Sequence, residues 1–469
     1  MLIVAPRVRP PLDPDFLPAA LWNGAFRSLV SGDRSARLFS LALERTDGSA
    51  SRFDGRLLAA DHPAAALNLR YAERLLKSLL WLKGGCRVRV AGAPEIAAQL
   101  RSIYSSAGER AFDHEFMGNR IYGRTFTVEP AEFRDLPEEQ VAGLAIGRHL
   151  DGCRIGFDLG GSDRKAAAVV DGEVVYSEEI AWDPYFQKDP AYHIGGVNDS
   201  LRRAAVHLPR VDAIGGSAAG TYVKNEVRAA SLFRGVPADQ FERHIRRMFL
   251  TLREQWGGIP FEVMNDGEVT ALAGSMALGK NAVLGVSMGT SQAGGYVTPS
   301  GDLTPWLNEL AFAPVDYRTD APRDEWSGDA GCGAQYFSQQ GVSRLAARAG
   351  FSFPDTMALP ERLIEVQNAM KCDDPRAAQV YDSIGVYFGY GIAHYAEFYE
   401  MRQLLVLGRV TSGAGGERIL RNASYVLRTE FPELAEAISF HVPDEKEKRH
   451  GQAIAAASLP ALVNVPIRA

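Results

Sequence analysis

Four short segments of this chain combine small residues with groups that handle charged oxygen atoms. The first, Asp158-Leu159-Gly160-Gly161-Ser162, joins two apolar runs. Its glycines let the backbone approach an anion and aim amides at it, and Ser162 adds a hydroxyl donor. Asp158 stands where a carboxylate could hold Mg2+ through water, because magnesium keeps much of its hydration shell when it carries nucleotide phosphates. Lys165, just beyond the turn, is counted with this phosphate-holding group. Taken alone, such a hairpin is more often a plain turn. A second turn, Ser287 to Ser291, repeats the chemistry with Gly289 for close approach and Thr290 and Ser291 as donors. The third segment runs from Leu405 to Leu420, a buried strand, a small-residue loop and a helix. There Gly413, Gly415 and Gly416 leave room for a flat base or ribose, or simply cap a helix.

The fourth segment, Phe261 to Gly274, reads as a strand whose end presents Asn265 and Asp266 immediately before a helix. Asp266 has two readings there. It could cap the helix, or it could be the carboxylate that takes a proton from an alcohol during phosphoryl transfer, held rigidly at a strand end. Asn265 can donate to and accept from neighbouring hydroxyls.

The elements that must position these groups follow from the pattern. Arg154 to Asp158 is an apolar strand, Lys165 to Val170 a second, and Glu173 to Ile180 a third, with Asp171-Gly172 as the hairpin turn between the last two. A helix over 200–207 and a strand VDAIGG come next. Downstream, AVLGVSMG, the turn at Gly289 and a return strand through Tyr296 repeat the strand-turn-strand unit, which suggests a duplicated architecture. No low-complexity tract separates the halves, so two lobes with a cleft between them are expected, and clefts favour ligands.

In the order DLGGS, ND, GTS and GAGG, these elements resemble the actin-like ATPase superfamily, and most closely the ROK family of bacterial sugar kinases and sugar-responsive repressors. The resemblance runs over roughly residues 152 to 460. It implies an α/β fold with duplicated, ribonuclease H-like lobes around a central cleft, in a domain spanning 151–469. It also implies ATP and Mg2+ as cofactors, a hexose as substrate, Asp266 as general base, and Asn265, Glu309 and Gly220 on the sugar side. The segment AIGGSAAGTYVKNEV looks like the family's stretch ahead of the sugar site. Many members carry a His-and-Cys zinc site beside the sugar. Here no histidine follows Glu309 closely and only Cys332 remains of the cysteine-rich part, so no zinc site is expected. Ser162 stands where threonine is common, and Arg409 interrupts the usual glycine run.

Residues 1–150 fit neither a plain kinase nor a repressor's helix-turn-helix, and are read as an N-terminal α+β domain. A strand LFSLALER, a turn at Asp47-Gly48 and a return strand lead to a helix with Leu67, Tyr71, Leu75 and Leu79 as its packing face. A strand CRVRVAG, a helix from Pro94 to Ile103 and an aromatic-rich stretch complete it, and a helix-like segment over 138–150 leads onward. This part holds 20 Lys and Arg against 17 Asp and Glu, and just two lysines, Lys77 and Lys83. That balance does not suit nucleic-acid binding.

With 469 residues, 46% hydrophobic and 23% charged, the chain has the composition of a globular protein of two or three domains. Its net charge of -6 argues against nonspecific binding to nucleic acid. No apolar run is long enough for a bilayer, and the start lacks a secretory pattern, so a cytoplasmic protein is expected. The four scattered cysteines read as free buried thiols. They also speak against a superfamily ATPase of the iron-sulfur activator type, which needs clustered cysteines. A homo-oligomer is compatible with all of this. The alternative to a kinase is a catalytically inactive sugar sensor or transcriptional regulator that kept the pocket.

Overall fold

The computed structural model describes residues 2, 4–140, 146–443 and 445–462. The chain forms two compact units. One comprises residues 1–142, 286–294 and 306–441, the other 143–285, 295–305 and 442–469. The N-terminal segment therefore shares a unit with much of the C-terminal half.

In the first unit, strands β1 (Arg37–Glu44), β2 (Ala50–Leu57), β3 (Arg87–Ala91) and β4 (Thr127–Ala131) form a sheet ordered β2-β1-β3-β4, with β3 and β4 parallel. Before Arg37, where the sequence pattern suggests nothing, a helix Ala19–Ser31 buries Trp22, Phe26 and Val30. The helix Ala66–Lys83 departs from the one-sided stripe expected of it: residues 71–83 are buried on every side, including Glu73, Arg74, Lys77 and Lys83. A helix buried all round must pair its charges internally, and this one does, as described below. The aromatic-rich stretch is a short helix, Ala111–Glu115, running into a π-helical turn, Phe116–Tyr122. Of the helix expected over 138–150, residues 141–145 lie outside the described residues and the flanking 138–140 and 146–150 are irregular.

The second unit holds a five-stranded sheet. Strands β5 (Cys153–Leu159), β6 (Asp163–Val170) and β7 (Glu173–Ala181) form an antiparallel meander, and β8 (Ala213–Ala218) lies parallel to β5. A small hairpin, β9 (Thr221–Val223) and β10 (Glu226–Ala229), follows, and β11 (Phe261–Asn265) lies parallel to β8. The helix expected over 200–207 is longer and begins earlier, at Pro190–Ala205, because Asp189 caps it and Pro190 occupies its first turn. One sheet face is the core: Ile155, Phe157 and Leu159 of β5 pack with Val197, Leu201, Phe249, Leu252 and Phe261. The other face takes the helix Glu445–Ala457, through Ala453 and Ala457 on Ala167 and Val169. That helix lies close because Gly156 and Gly215 beneath it carry no Cβ, which would overlap its backbone.

The remaining strands are β12 (Val283–Met288), β13 (Gln292–Val297), β14 (Gln403–Leu407) and β15 (Ser439–His441), ordered β13-β12-β14-β15. Read from its far edge, the five-stranded sheet is β7-β6-β5-β8-β11: third, second and first strands, then fourth and fifth. The four-stranded sheet repeats that order without the third strand. This is the duplication that the two glycine turns suggest.

Among the described residues, no helix is long and apolar enough to cross a membrane. Cys86, Cys153 and Cys332 are buried free thiols, whereas Cys372 is exposed, contrary to expectation, at the end of a surface helix.

Candidate active site

Strand register brings the second unit's candidates together. Asp158 is paired with Lys165 across the β5-β6 hairpin and with Ser217 across the parallel β5-β8 ladder. Register partners project from the same face of a sheet, so the three side chains converge. The Ser217 hydroxyl donates to Asp158 Oδ1 at 2.7 Å, and Gln452 of the overlying helix donates to the same oxygen at 3.3 Å and to Ser217 Oγ at 3.2 Å. The other oxygen, Oδ2, faces Lys165 Nζ at 3.9 Å, while that ammonium lies closer to Asp163, at 3.2 Å. Burial pushes the Asp158 carboxyl up to about 6; the Ser217 hydrogen bond and Lys165 pull against this, and the charges of Asp266 and Asp163 add to it.

Asp266 is the first residue of the helix Asp266–Leu278, at the end of β11. Its two sequence readings part here. The cap is Asn265, whose Oδ1 accepts from the Gly267 amide at 2.7 Å and whose Nδ2 donates to the Gly220 carbonyl at 2.7 Å. Both polar ends of Asn265 and the carbonyl of Gly220 are thus engaged in holding the strand end. Burial raises the Asp266 carboxyl above its usual range, opposed by backbone amides of Gly267 and Asp266 itself.

The hairpin itself is tightly braced. The Gly160 amide donates to the Asp163 carbonyl at 3.0 Å, and the Gly160 carbonyl accepts from the Trp182 indole at 2.8 Å. A Cβ on Gly161 would overlap the Tyr185 hydroxyl, so a larger residue there would displace that side chain. The Ser162 hydroxyl donates to Asp163 Oδ2 at 2.9 Å.

The other candidates belong to the first unit. Gly289 donates to the Ser291 carbonyl at 2.9 Å and accepts from the Gln339 amide, while Thr290 and Ser291 are exposed at the tip of the turn. Gly408, with φ +102, sits directly on the backbone of Met288, which brings the Gly-rich loop against this turn. Within that loop the glycines divide. Gly413 has φ +66 and open space around it at the start of the helix Gly413–Glu430. Gly415 lies on the Tyr381 ring and Gly416 on the backbone of Thr411, so those two serve helix packing. Glu309 begins a short 3-10 turn, and its amide donates to the Trp81 carbonyl at 3.0 Å.

No protein-family model matches the sequence, and no curated protein matches it. Solved structures do. A ROK hexokinase from Thermus thermophilus superposes with a TM-score of 0.52 at 19% identity, over 65% of this chain and 96% of that one. A ROK family transcriptional regulator, a homologue of the E. coli Mlc protein, gives 0.51 at 16% identity, over 66% and 79%. The chain has the ROK-type, actin-like fold. At these identities the likeness is one of fold.

Within this ROK-type fold, Ser217, Gln452 and Gly408 are the residues that the sequence reading leaves out. Two had a signal. Ser217 is the lone hydroxyl at a strand end in AIGGSAAG, and Gln452 is the lone amide in the small, apolar run GQAIAAASL. Neither tells of its partner, since their meeting at Asp158 depends on a helix from nearly 300 residues downstream. Cys332 lies buried beside Asp329 and Lys77, and burial, with Asp329, pushes its thiol up to about 12. Among the described residues, no three His, Cys, Asp or Glu side chains are grouped so as to hold a metal ion directly.

Proposed function

We propose that the chain is an ATP-dependent sugar kinase of the ROK family, transferring the γ-phosphoryl group to a hydroxyl of a glucose-like or N-acetylated hexose. The observation that carries this reading is the division of labour at the end of β11. Asn265 caps the helix, and Asp266 beside it keeps a buried carboxyl with raised proton affinity. A base of that kind suits proton abstraction from an alcohol near neutral pH. The hydroxyl oxygen bonds to the γ-phosphorus as the bridging P–O bond to ADP breaks, and the hydroxyl proton passes to Asp266.

The donor set around Asp158 fits a hydrated Mg2+: burial raises the Asp158 carboxyl, the charges of Asp266 and Asp163 add to it, and the excess negative charge suits a cation. When bound through water at Asp158, Mg2+ neutralises charge on the nucleotide phosphates. The chain's own groups do the rest. Lys165 faces Asp158, and the hairpin amides beyond Gly160, whose own amide is held by Asp163, cradle phosphate. The exposed Thr290 and Ser291 offer a second set of donors where Gly289 allows close approach, Gly413 leaves room for the nucleoside, and Glu309 binds sugar hydroxyls. Positioning and charge stabilisation supply the acceleration.

ATP consumption against a panel of hexoses and N-acetylhexosamines tests this. Turnover of at least one sugar, lost in Asp266→Asn, is expected; no turnover with any sugar, or undiminished turnover in that variant, rejects it. The second reading, a sugar-responsive regulator without catalysis, draws on the fold likeness to a ROK transcriptional regulator, at a TM-score of 0.51 against 0.52 for the hexokinase. Saturable sugar binding with no ATP consumption would favour it.

A further inference from the structure

The last carbonyls of an α-helix have no partner within it and must find one elsewhere. In the helix Ala66–Lys83 they are fully accounted for. Gly84 donates to Leu79 and Leu80, and the Arg45 guanidinium donates to Lys83. The two between are taken by the candidate sugar loop: Asn308 donates to Leu82 and Glu309 donates to Trp81, each at 3.0 Å. Side chains clamp the same junction from both sides. The Lys83 ammonium stands 3.0 Å above the Trp306 ring, and the Trp81 ring stacks on Phe312 at 4.1 Å. Tyr399 donates to Asn308 Oδ1 at 2.9 Å, which fixes Asn308 in its left-handed conformation, φ +53. Such a conformation persists in a non-glycine residue where its surroundings hold it.

We propose that the C-terminal end of the helix Ala66–Lys83 is the positioning element for Glu309, so that the N-terminal segment sets how tightly the sugar is held. This rests on the reading of Glu309 as a sugar ligand. The segment is then neither a separate module nor a lid. It supplies the rigid stop against which the backbone of 306–312 is pinned, with Lys83 and Trp306 as positioning residues and Glu309 as the group that meets the substrate. Burial draws the Lys83 ammonium down to about 7 with help from Arg45, against Glu139, and the ring face beneath it favours the charged form. A buried lysine kept on an aromatic face is costly unless the contact has a use.

The test uses full-length protein and two readouts. In Lys83→Met, the amides of Asn308 and Glu309 should exchange with solvent faster than in wild type. The KM for the preferred sugar should rise about tenfold while that for ATP stays within about twofold, as expected for a misplaced binding group. Trp306→Leu should behave in the same way, and Trp306→Phe, which keeps a ring face, should restore most of the sugar affinity. In a Glu309→Gln background, Lys83→Met should raise the sugar KM no further, because the two act through one group. Unchanged exchange at 308–309, equal rises in both KM values, or additive effects with Glu309→Gln would overturn the positioning role while leaving the kinase reading intact. A sugar KM indifferent to Glu309→Gln alone would overturn the sugar-ligand reading, and the proposal with it.

Discussion

Two clusters of charge, one in each unit, are built to opposite designs. In the first unit, Arg74, Lys77 and Arg110 interlock with Glu73, Asp113 and Asp329, three cations with three anions, at separations of 2.5 to 3.6 Å. Burial works against the carboxylates there, yet Arg74 and Arg110 hold Glu73 down to about 2, and Asp329 lies lower still. In the second unit, the partly exposed Lys165 faces Asp158 and Asp163, the charge of Asp266 also bears on Asp158, and burial leaves Asp158 pushed up to about 6. A balanced cluster is complete in itself and serves the fold. An unbalanced one keeps excess negative charge, which under the proposed function would meet a cation and the phosphates it accompanies.

Removing one charge from each cluster breaks the comparison most directly. Asp266→Asn should lower kcat by about 10²- to 10⁴-fold while melting no earlier than wild type, because a carboxylate is lost from a site with too many. Lys77→Met should do the reverse. Lys77 is fully buried between Asp113 and Asp329, and leaving them without it should cost about 3 to 5 kcal/mol in urea unfolding. A stable Lys77→Met protein, or a destabilised Asp266→Asn, would show that the two clusters do not differ in the way described.

The pH dependence of stability sharpens the same contrast, since the two shifts have opposite sign. Glu73 is held at about 2 against an ordinary 4.5. Its contribution is fully present above pH 4.5 and is lost as pH falls toward 2. Asp158 is held at about 6 against an ordinary 3.8. Between those values the unfolded chain ionises first, so Asp158 costs stability progressively as pH rises, and the whole cost is reached above pH 6. In chelator-treated protein, Asp158→Asn should therefore gain about 3 kcal/mol at pH 7 and almost nothing below pH 4. Glu73→Gln should lose stability at pH 7 and converge on wild type in acid. Parallel curves for the two variants would remove the distinction.

The unbalanced cluster was largely legible in the sequence, and the balanced one was not. Asp158, Lys165 and the glycines between them sit within eight residues, so a hairpin register suffices to bring them together. Asn265 and Asp266 are adjacent, and their place at a strand end before a helix was legible, though which of them caps the helix needed the backbone. The ion network instead joins residues 73–77 and 110–113 to Asp329, and no local period signals a pairing across more than 200 positions. Of the apolar recurrence Leu67, Tyr71, Leu75, Leu79, the last three are buried as expected and Leu67 is half-buried. The recurrence said nothing of the helix's other sides, because charged residues read as solvent-facing unless their partners are known. Gly415 and Gly416 show the converse: residues whose types suited a ligand are accounted for by the Tyr381 ring and the Thr411 backbone.

The smallest effect expected lies at the Asp158 carboxylate itself. Ser217 and Gln452 both donate to Oδ1, which leaves Oδ2 turned toward Lys165. If that orientation presents Oδ2 to a metal-bound water, Ser217→Ala or Gln452→Leu should raise the half-saturating Mg2+ concentration and the KM for MgATP by about fivefold, below the range found for partners of direct metal ligands. The KM for sugar should not move, and Ser217→Thr should restore the Mg2+ dependence. Since the two donors share one oxygen, the double variant should cost less than the two single changes combined. Manganese binding followed by electron paramagnetic resonance gives the same ordering without turnover. A loss confined to kcat, with metal affinity untouched, would instead place the pair with Asp266, whose charge also bears on Asp158, and would make the cluster a single proton-handling unit rather than a phosphate site beside a base.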